Sequence, residues 1–540
     1  MRTPRTLRTP RTSRTPRTPR TSRTYAVLLI ALSSAALLAQ GRNIGFEWPA
    51  TNADAQRTGW LRLDPNIAPG TVNNTSFRLL WQEKLPATPR QGLSILQAVT
   101  ANGMQVFTPT SFVTGVSNTI FALDNDTGHP NFVKRFDAPL PLATAQCPGG
   151  MTGALTRVVN LVPTPLELPP AGGARGGYRA GIGAPGEGVP LDIGRRDGGA
   201  ALRNEPPPPA AARGGGGGGL NAGKYGGAMY AVTSAGTMHV LGPNFLLEVE
   251  RPVPFLPANS RFSNLIAVGE TLYTTTSQGC GGAPNGVWSI SIAANSPRTV
   301  ASWRTNGGNP VGDIAFTTDG RLLVAVGAGQ VQAGGYANAI VALDAKTLQP
   351  TDWFTAPNAD FVTTPVVFTV GMRQLVAAAT RDGRVLILDA SSLGGANHAT
   401  PLLASQSLGA SFAPDALATW ENQGTRWLLV PNNGVTAYRV VDQSGRVSLE
   451  QGWTSRALAA PSAPIIVNGV VFAAASGRPQ GRATLYAFDG ATGRDLWNSG
   501  TTMTSSVPPN SLWASNSQVH AATVDGTVYS FGFVLERKAR

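Results

Sequence analysis

The chain has 540 residues, of which 42% are apolar and 14% are charged, and its formal net charge is +13. This apolar content is enough for a large core and excludes a wholly disordered chain. The two cysteines exclude a disulfide-dense scaffold and any four-cysteine zinc or iron–sulfur site.

Most of the positive charge lies at the N-terminus. Residues 2–24 contain eight of the 43 basic residues, as an Arg at every third position, and no acidic residue. Residues 25–540 carry a net charge of only +5. An apolar run (26–38) and the short stretch 39–41 follow this Arg/Thr-rich region. Because a basic region, a short apolar region and small residues are typical of secretory signals, we predict a Sec-type signal peptide over 1–41.

Two alternatives to a cleaved signal peptide stay open: an uncleaved anchor and a basic arm that binds nucleic-acid phosphates. The basic region is unusually long for a signal peptide, so a start codon placed too far upstream stays open as well. Thirteen apolar residues are short for a bilayer span. No cysteine follows the apolar run for lipid attachment, and no Arg pair precedes it. We therefore expect an exported chain, periplasmic or extracellular. It is not expected to be a lipoprotein, to keep a transmembrane span or to bind nucleic acid.

A glycine-rich stretch interrupts the first half of the mature chain. Residues 171–227 hold 20 of the 63 glycines and include the runs Pro206–Pro209 and Gly214–Gly219. This composition predicts a flexible insertion within a loop. A phosphate-binding glycine loop would need a helix after the glycines, but the residues that follow alternate like a strand.

Short β-type runs with Gly, Asp and Asn turns dominate the rest of the chain, and two strand types recur. The first begins with a turn Gly in most copies, for example GETLYTTTS (269–277) and GVVFAAAS (469–476). The second ends in an Asp turn, for example NAIVALDAKT (338–347) and ATLYAFDGATG (483–493). The pairs Asp382-Gly383 and Asp525-Gly526 predict two-residue hairpin turns in which both residues take positive φ.

Counting these units gives about eight between residues 77 and 533. Without the insertion that span leaves 400 residues, or 50 for each unit, which suits four-stranded blades. The sequence thus predicts an all-β fold, a β-propeller of about eight four-stranded blades, with seven as the alternative. The last unit lacks an outer strand, and the run FRLLWQEKL (77–85) is predicted to supply it and close the ring. An N-terminal segment (42–76) precedes the propeller and a tail (534–540) follows it.

The residue types in AFDGATGRDLW (487–497) are those that a tight turn between two strands requires. Asp489 can accept turn amides, and Gly493 can take the left-handed conformation of a tight turn. Trp497 is then expected on the outer strand, where its large apolar ring packs between neighbouring sheets. We interpret these residues as structural.

This turn resembles the tryptophan-docking repeat, A-x-D-x-x-T-G-x-x-x-W, of the pyrroloquinoline quinone (PQQ)-binding-like β-propellers. The matching residues are Ala487, Asp489, Thr492, Gly493 and Trp497. Two other turns match less closely, through Asp124 and Gly128 in one turn and Asp344 and Trp353 in the other. The segment EWPATNADAQRTGW (47–60) looks like the N-terminal segment of the same superfamily. The resemblance implies a propeller, and this superfamily holds both quinoprotein dehydrogenases and propellers that bind no cofactor.

For a dehydrogenase, the resemblance implies PQQ in the central funnel, commonly under adjacent disulfide-bonded cysteines and over a Trp. It also implies a calcium ion held by Glu, Asn and Asp, with a further Asp as base. Here Cys147 and Cys280 are not adjacent. Asp313, Asp360 and Asp415 are candidates for a funnel site, because each lies near the start of a predicted blade. The alternative for each is an ordinary loop carboxylate.

The cysteines lie in similar glycine-rich loops, Cys147 before Pro-Gly-Gly and Cys280 before Gly-Gly. In an exported chain an even cysteine count favours pairing. We therefore expect a Cys147–Cys280 disulfide, and two free buried thiols are the alternative.

Two functions follow as hypotheses. The first is a monomeric, non-enzymatic binding or scaffold module whose propeller face binds a protein or a small-molecule ligand. The second is a PQQ-dependent dehydrogenase with a diverged site, which would need PQQ and calcium to oxidise an alcohol or sugar. Other propeller enzymes, such as lyases or glycosidases, are a third class.

Overall fold

The computed structural model describes residues 47–86, 92–101, 104–115, 117–139, 143–144, 146–161, 228–243, 245–294, 296–356, 360–409 and 414–533. The predicted signal peptide, the insertion 171–227 and the tail 534–540 lie outside the described residues. Within them, the helical elements are two three-residue 3-10 turns, Cys280–Gly282 and Gly395–Asn397.

The described residues form 34 strands. The first half of the chain contains β1 (Trp60–Leu61), β2 (Phe77–Lys84), β3 (Leu93–Ala101), β4 (Met104–Gly115), β5 (Thr119–Asp124), β6 (Pro130–Arg135), β7 (Thr156–Val159), β8 (Met229–Val232), β9 (Thr237–Leu241), β10 (Val253–Pro254), β11 (Arg261–Phe262), β12 (Ile266–Val268), β13 (Thr271–Ser277), β14 (Gly286–Ser291) and β15 (Val300–Arg304). The second half contains β16 (Pro310–Phe316), β17 (Arg321–Val326), β18 (Ala339–Asp344), β19 (Pro350–Thr355), β20 (Val366–Val370), β21 (Arg373–Ala379), β22 (Val385–Asp389), β23 (Leu403–Ala404), β24 (Ala418–Asn422), β25 (Thr425–Pro431), β26 (Val435–Gln443), β27 (Arg446–Thr454), β28 (Ile465–Val467), β29 (Val470–Ala475), β30 (Thr484–Asp489), β31 (Asp495–Asn498), β32 (Leu512–Ser515), β33 (Gln518–Ala522) and β34 (Thr527–Phe533).

These strands form antiparallel, mostly four-stranded sheets. Strands β3–β6, β16–β19, β20–β23, β24–β27 and β28–β31 each pair in sequence order, and β1 adds to β28 in parallel. Strands β7–β15 form one nine-stranded sheet, in which the parallel pair β7–β12 joins two such meanders. The predicted all-β propeller architecture is confirmed, while the blade number stays a prediction.

The N-terminal strand closes the ring, as predicted. Strand β2 pairs antiparallel with β34 from Phe77 opposite Phe533 to Lys84 opposite Thr527, giving the order β2-β34-β33-β32. Strands β32, β33 and β34 alone would leave an exposed sheet edge, and β2 covers it with backbone hydrogen bonds.

The middle strands are apolar along their whole length because both faces of each sheet are buried. In β17, Leu322 and Val324 pack into one hydrophobic cluster, while the alternate residues Leu323 and Ala325 pack into the next one. Neighbouring sheets therefore share apolar cores on both sides, and the strict hydrophobic-to-polar alternation of a solvent-facing sheet is absent from β17.

Both hairpin turns differ from the two-residue type predicted. Gly383 (φ 89°) and Gly526 (φ 94°) have positive φ, whereas Asp382 and Asp525 do not. The hydroxyl of Thr380 donates to Asp382 at 2.6 Å, and Thr523 donates to Asp525 at the same distance. In each turn the Asp accepts this side-chain bond, and the Gly alone takes the left-handed conformation. The prediction that both residues have positive φ was wrong.

Three turns match the tryptophan-docking repeat, and in each of these docking turns the Asp accepts hydrogen bonds from backbone amides. Asp489 accepts the N–H groups of Ala491 (3.0 Å) and Thr492 (3.2 Å). Asp124 and Asp344 accept the corresponding pairs of amides in their own turns. The left-handed position is Gly493 in the first turn and Gly128 in the second, but Leu348 (φ 55°) takes it in the third.

A Trp from the preceding sheet packs against the glycine of the docking turn, Gly493. Trp453 of β27 donates its indole N–H to Gly490 O at 2.9 Å. A Cβ on Gly493 would lie 2.5 Å from Trp453 Cε3. Trp497 itself packs forward onto the closing sheet, with ring centroids 5.0 Å from Phe77 and 5.3 Å from Phe531. Each docking turn is therefore part of the contact between sheets.

We expect Gly493→Ala to lower the free energy of unfolding by about 2–4 kcal/mol, because it combines a left-handed backbone with a clash against Trp453. Gly500→Ala is the matched control, since Gly500 also has positive φ (56°) but open space around it. The control should cost only the conformational part, about 1–2 kcal/mol. Urea unfolding of both variants measures the difference, and equal losses would contradict the proposed clash.

The axial segment, residues 47–67, fills the centre of the ring. Nearly all of its residues are buried, including Trp48, Leu61 and Ile67. Its backbone is hydrogen-bonded to the innermost strand of successive sheets. These bonds join Trp48 to Ser94, Pro49 to Arg157, Ala55 to Phe316, Gln56 to Val367, Thr58 to Thr419 and Gly59 to Ile466. The segment thus ties the inner strands to one another around the axis.

Candidate functional site

A cavity of about 430 Å³ lies at the centre of the ring. Its walls come from positions far apart in sequence that meet where inner strands begin: Arg261 to Asn264 before β12, Asp313 in β16, and Asn510 and Ser511 before β32. Polar and apolar groups share the lining about equally, and the polar groups are one cation, one carboxylate, two amides and several hydroxyl groups. This arrangement suits a small polar ligand.

Asp313 lies in the cavity wall and is only 3% exposed. Its two carboxylate oxygens accept the backbone N–H of Asn264 at 3.1 Å and the Nδ2–H of the same residue at 3.0 Å. Its own backbone N–H donates to Thr364 Oγ1 at 2.7 Å. The strand register shifts between Val311 and Ala315, and this irregularity includes Asp313. Asp313 therefore connects three neighbouring sheets.

Arg57 of the axial segment lies close enough to Asp313 for an electrostatic attraction between the two side chains. It is fully buried, and it donates from Nε to Ile314 O at 2.7 Å and from Nη1 to Thr51 O at 2.6 Å. Burial lowers the pKa of this guanidinium, while the charges of Asp313 and Asp54 oppose that shift. The buried cation and the cavity carboxylate thus balance each other within the ring.

The other two candidate carboxylates are in ion pairs, Asp360 within its own sheet and Asp415 with the next sheet. Asp360 accepts the Ala328 N–H at 2.8 Å and Arg381 Nε–H at 2.5 Å. Asp415 accepts two hydrogen bonds from Arg478, at 3.0 and 2.9 Å. Burial raises the pKa of Asp415, and Arg478 opposes the shift. Neither Asp360 nor Asp415 lines the central cavity.

The described residues do not fit the calcium site that the resemblance implies. Calcium takes six to eight oxygen ligands, commonly several carboxylates. The cavity contributes one carboxylate, Asp313, and both of its oxygens already accept hydrogen bonds. Across the described ranges no group of three or more His, Cys, Asp or Glu side chains could hold a metal ion. The aromatic side chain in the lining is Phe262, and no Trp lines the cavity as a platform for a quinone.

Cys147 and Cys280 form a disulfide at the edge of this cavity, with their Cα atoms 5.6 Å apart. Pro148, which follows Cys147, lines the cavity. Arg261 Nη1 donates to Gln146 O at 3.0 Å beside the bridge. The disulfide therefore joins the chain before β7 to the 3-10 turn between β13 and β14.

Four residues of the site were not predicted from the sequence: Arg261, Asn264, Asn510 and Arg57. No local motif marks these residues, because their common location depends on the path of the axial segment and on contacts between distant sheets. The one available signal was the similarity of segment 47–60 to a superfamily pattern, and that signal did not assign a role to Arg57.

Comparison with known proteins supports the architecture. Residues 422–532 match the family described as outer membrane protein assembly factor BamB. The solved structure of quinohemoprotein alcohol dehydrogenase from Comamonas testosteroni aligns with a TM-score of 0.53 at 12% identity, covering 91% of this chain and 82% of that one. A second such enzyme, from Pseudomonas putida HK5, aligns with a TM-score of 0.54 at 10% identity, covering 94% and 83%.

The chain has the fold of a PQQ-like β-propeller. A europium-containing methanol dehydrogenase aligns with this propeller at a TM-score of 0.53 and 13% identity, covering 90% of this chain and 98% of that one. At these identities the likeness establishes fold alone. No curated protein matches the propeller in sequence. Within the described residues, no helix has the length and apolar character needed to cross a membrane.

Proposed function

We propose that this chain is an exported PQQ-like propeller that binds a partner or small polar ligand at its cavity-bearing face and catalyses no reaction. The observation that carries the proposal is that all three candidate carboxylates already accept hydrogen bonds from other side chains. Asp313 is held by Asn264, Asp360 by Arg381 and Asp415 by Arg478. A general base must be free to accept a proton from a substrate, and each of these groups already holds sheets together.

The cavity lining supports a binding role. Arg261 and Asn264 of one sheet and Asn510 beside the closing sheet supply N–H donors, and Asp313 supplies an acceptor. The side-chain oxygen of Asn510, in the cavity wall, is buried without a hydrogen-bond partner. Such donors and acceptors around one cavity orient a polar ligand without transforming it.

Two features support export. The N-terminal sequence has the order of a Sec-type signal peptide, and the Cys147–Cys280 bridge suits an oxidising compartment. We accordingly propose a periplasmic or extracellular monomer, processed near residue 41 and carrying no lipid anchor.

A PQQ-dependent dehydrogenase is the second candidate. The carboxylate of Asp313 in a central cavity favours it, because an alcohol or sugar oxidation needs a base at the ring centre. The alternative thus assigns the base to Asp313, despite the two hydrogen bonds that it accepts from Asn264.

Reconstitution separates these functions. Purified protein with calcium and tens of micromolar PQQ should show no bound-quinone absorbance and no dye reduction with alcohols or sugars. Dye reduction that is lost in Asp313→Asn and retained in the matched variant Asp360→Asn would overturn the binding proposal. The binding role has its own measurement, native mass spectrometry of the exported protein. It should show a bound small molecule or partner, and Arg261→Gln should weaken a small-molecule complex.

A further inference from the structure

We propose that the Cys147–Cys280 disulfide is a redox-controlled closure of the central cavity. Reduction would release the rim strap, residues 146–150, from the cavity wall and open the site. This inference rests on the proposed binding role of that cavity, and it concerns how access to the site is controlled.

Few bonded contacts hold the rim strap against the wall, and its last two residues, Gly149 and Gly150, are buried. Its described ties to the sheet containing β13 are the disulfide, the hydrogen bond from Arg261 to Gln146 O and a 3.5 Å contact of Cys280 Sγ with the same carbonyl. The chain is bound much more firmly just beyond it. Thr152 Oγ1 donates to Phe262 O at 2.8 Å and accepts the Phe262 N–H at 2.9 Å. Without the disulfide, the hydrogen-bonded contacts of the rim strap with this wall would all be at one carbonyl, Gln146 O.

The strap contains residues suited to act as a hinge. Gly149 (φ 70°) and Gly150 (φ 68°) lie between the cavity-lining Pro148 and the fully buried Met151. Two adjacent glycines in the left-handed region can change conformation without a side-chain penalty. Rotation at these glycines would swing Pro148 away from the cavity while Met151 stays in its core.

The other end of the disulfide is fixed. Cys280 is 2% exposed, and it begins the tight 3-10 turn Cys280–Gly282. A Cβ on Gly281 would lie 1.9 Å from Ala258 O, so this turn is packed directly against neighbouring backbone. On breaking the bond, the half that moves is therefore the one carrying Cys147.

A dithiol reductant is the required co-reactant. Its thiolate attacks the Sγ of Cys147, which is more exposed than that of Cys280, and forms a mixed disulfide. Cys280 leaves as a thiolate and takes a proton from water. The second thiol of the reductant then displaces Cys147, so two electrons pass to the protein and the dithiol becomes a disulfide.

Hydrogen exchange of the full-length chain tests this closure. Adding dithiothreitol to the oxidised protein should speed exchange about tenfold or more in peptides covering 146–151. Peptides from β20 to β22 should not change. Unchanged exchange at 146–151 would overturn the proposal, and so would an equal increase throughout the chain, because the bridge would then serve only as a general staple of the fold.

A variant without the bridge provides the matched control. The double variant C147S/C280S should show fast exchange at 146–151 without reductant and no response when it is added. A response in that variant would refute a disulfide-controlled closure. Failure of the proposed function is read separately, because it would appear as PQQ-dependent dye reduction whether or not the rim strap moves.

Discussion

Removing residues 47–67 is expected to abolish cooperative unfolding of the chain. Four large apolar side chains of this axial segment are buried: Trp48, Leu61, Leu63 and Ile67. Burying such side chains contributes about 1.5–3 kcal/mol each, or about 6–12 kcal/mol together. That range is comparable with the whole stability of a typical folded protein, about 5–15 kcal/mol. Circular dichroism during heating should show a broad change without a sharp transition.

The matched control is deletion of residues 171–227, a larger segment that the sequence predicts to be an insertion in a loop. This control should keep a sharp thermal transition. Adding a synthetic 47–67 peptide to the first variant should restore part of its transition, since the channel would be refilled. A deletion variant that unfolds as sharply as the parent protein, at the same temperature, would show that the axial segment does not support the ring.

Acid should destabilise the protein through His520. This residue of β33 is fully buried, and neither ring nitrogen has a hydrogen-bond partner. Its ring stacks on Trp513 at a centroid distance of 5.2 Å and lies 5.6 Å from Trp81. Burial lowers its pKa from 6.5 to about 3. In this niche the neutral imidazole is tolerated and the charged form is not.

The direction in which stability changes with pH follows from proton uptake by the folded and unfolded chains. Between pH 6.5 and about 3 the unfolded chain binds a proton that the folded chain does not. Stability is therefore complete above pH 6.5 and falls by about 1.4 kcal/mol for each pH unit below it. Urea unfolding at several pH values measures this slope. His520→Leu should flatten it, whereas the exposed-site control His129→Leu should not, and an unchanged slope in His520→Leu would rule out this assignment.

Local features of the fold were predictable because neighbouring residues determine them. The docking turn is one example, since Asp489, Thr492 and Gly493 satisfy its geometry within five positions. The closing strand was predictable for a different reason. The last unit had three strands, so an apolar run elsewhere had to complete it, and β2 does.

Long-range features were not predictable from one sequence. The axial segment takes positive φ at Asn52, Ala53 and Arg57, none of which is a glycine. No propensity indicates that path, because the surrounding inner strands impose it. The cavity is similar, since Arg261 and Asn510 meet only after the ring has closed. The left-handed conformation of Leu348 was also not predictable, because this buried Leu occupies the position that glycine takes in the other two docking turns.

The pairing of β2 with β34 also sets when the ring can form during synthesis. Phe77 is translated long before its partner Phe533, so the closing sheet cannot form until β34 has been synthesised. Contacts of such high sequence separation make folding slow. Until the final strand is released, the axial segment has no complete channel to fill. The ring is therefore completed only once β34 has emerged from the ribosome, and the earlier sheets must persist without their closing partner until then.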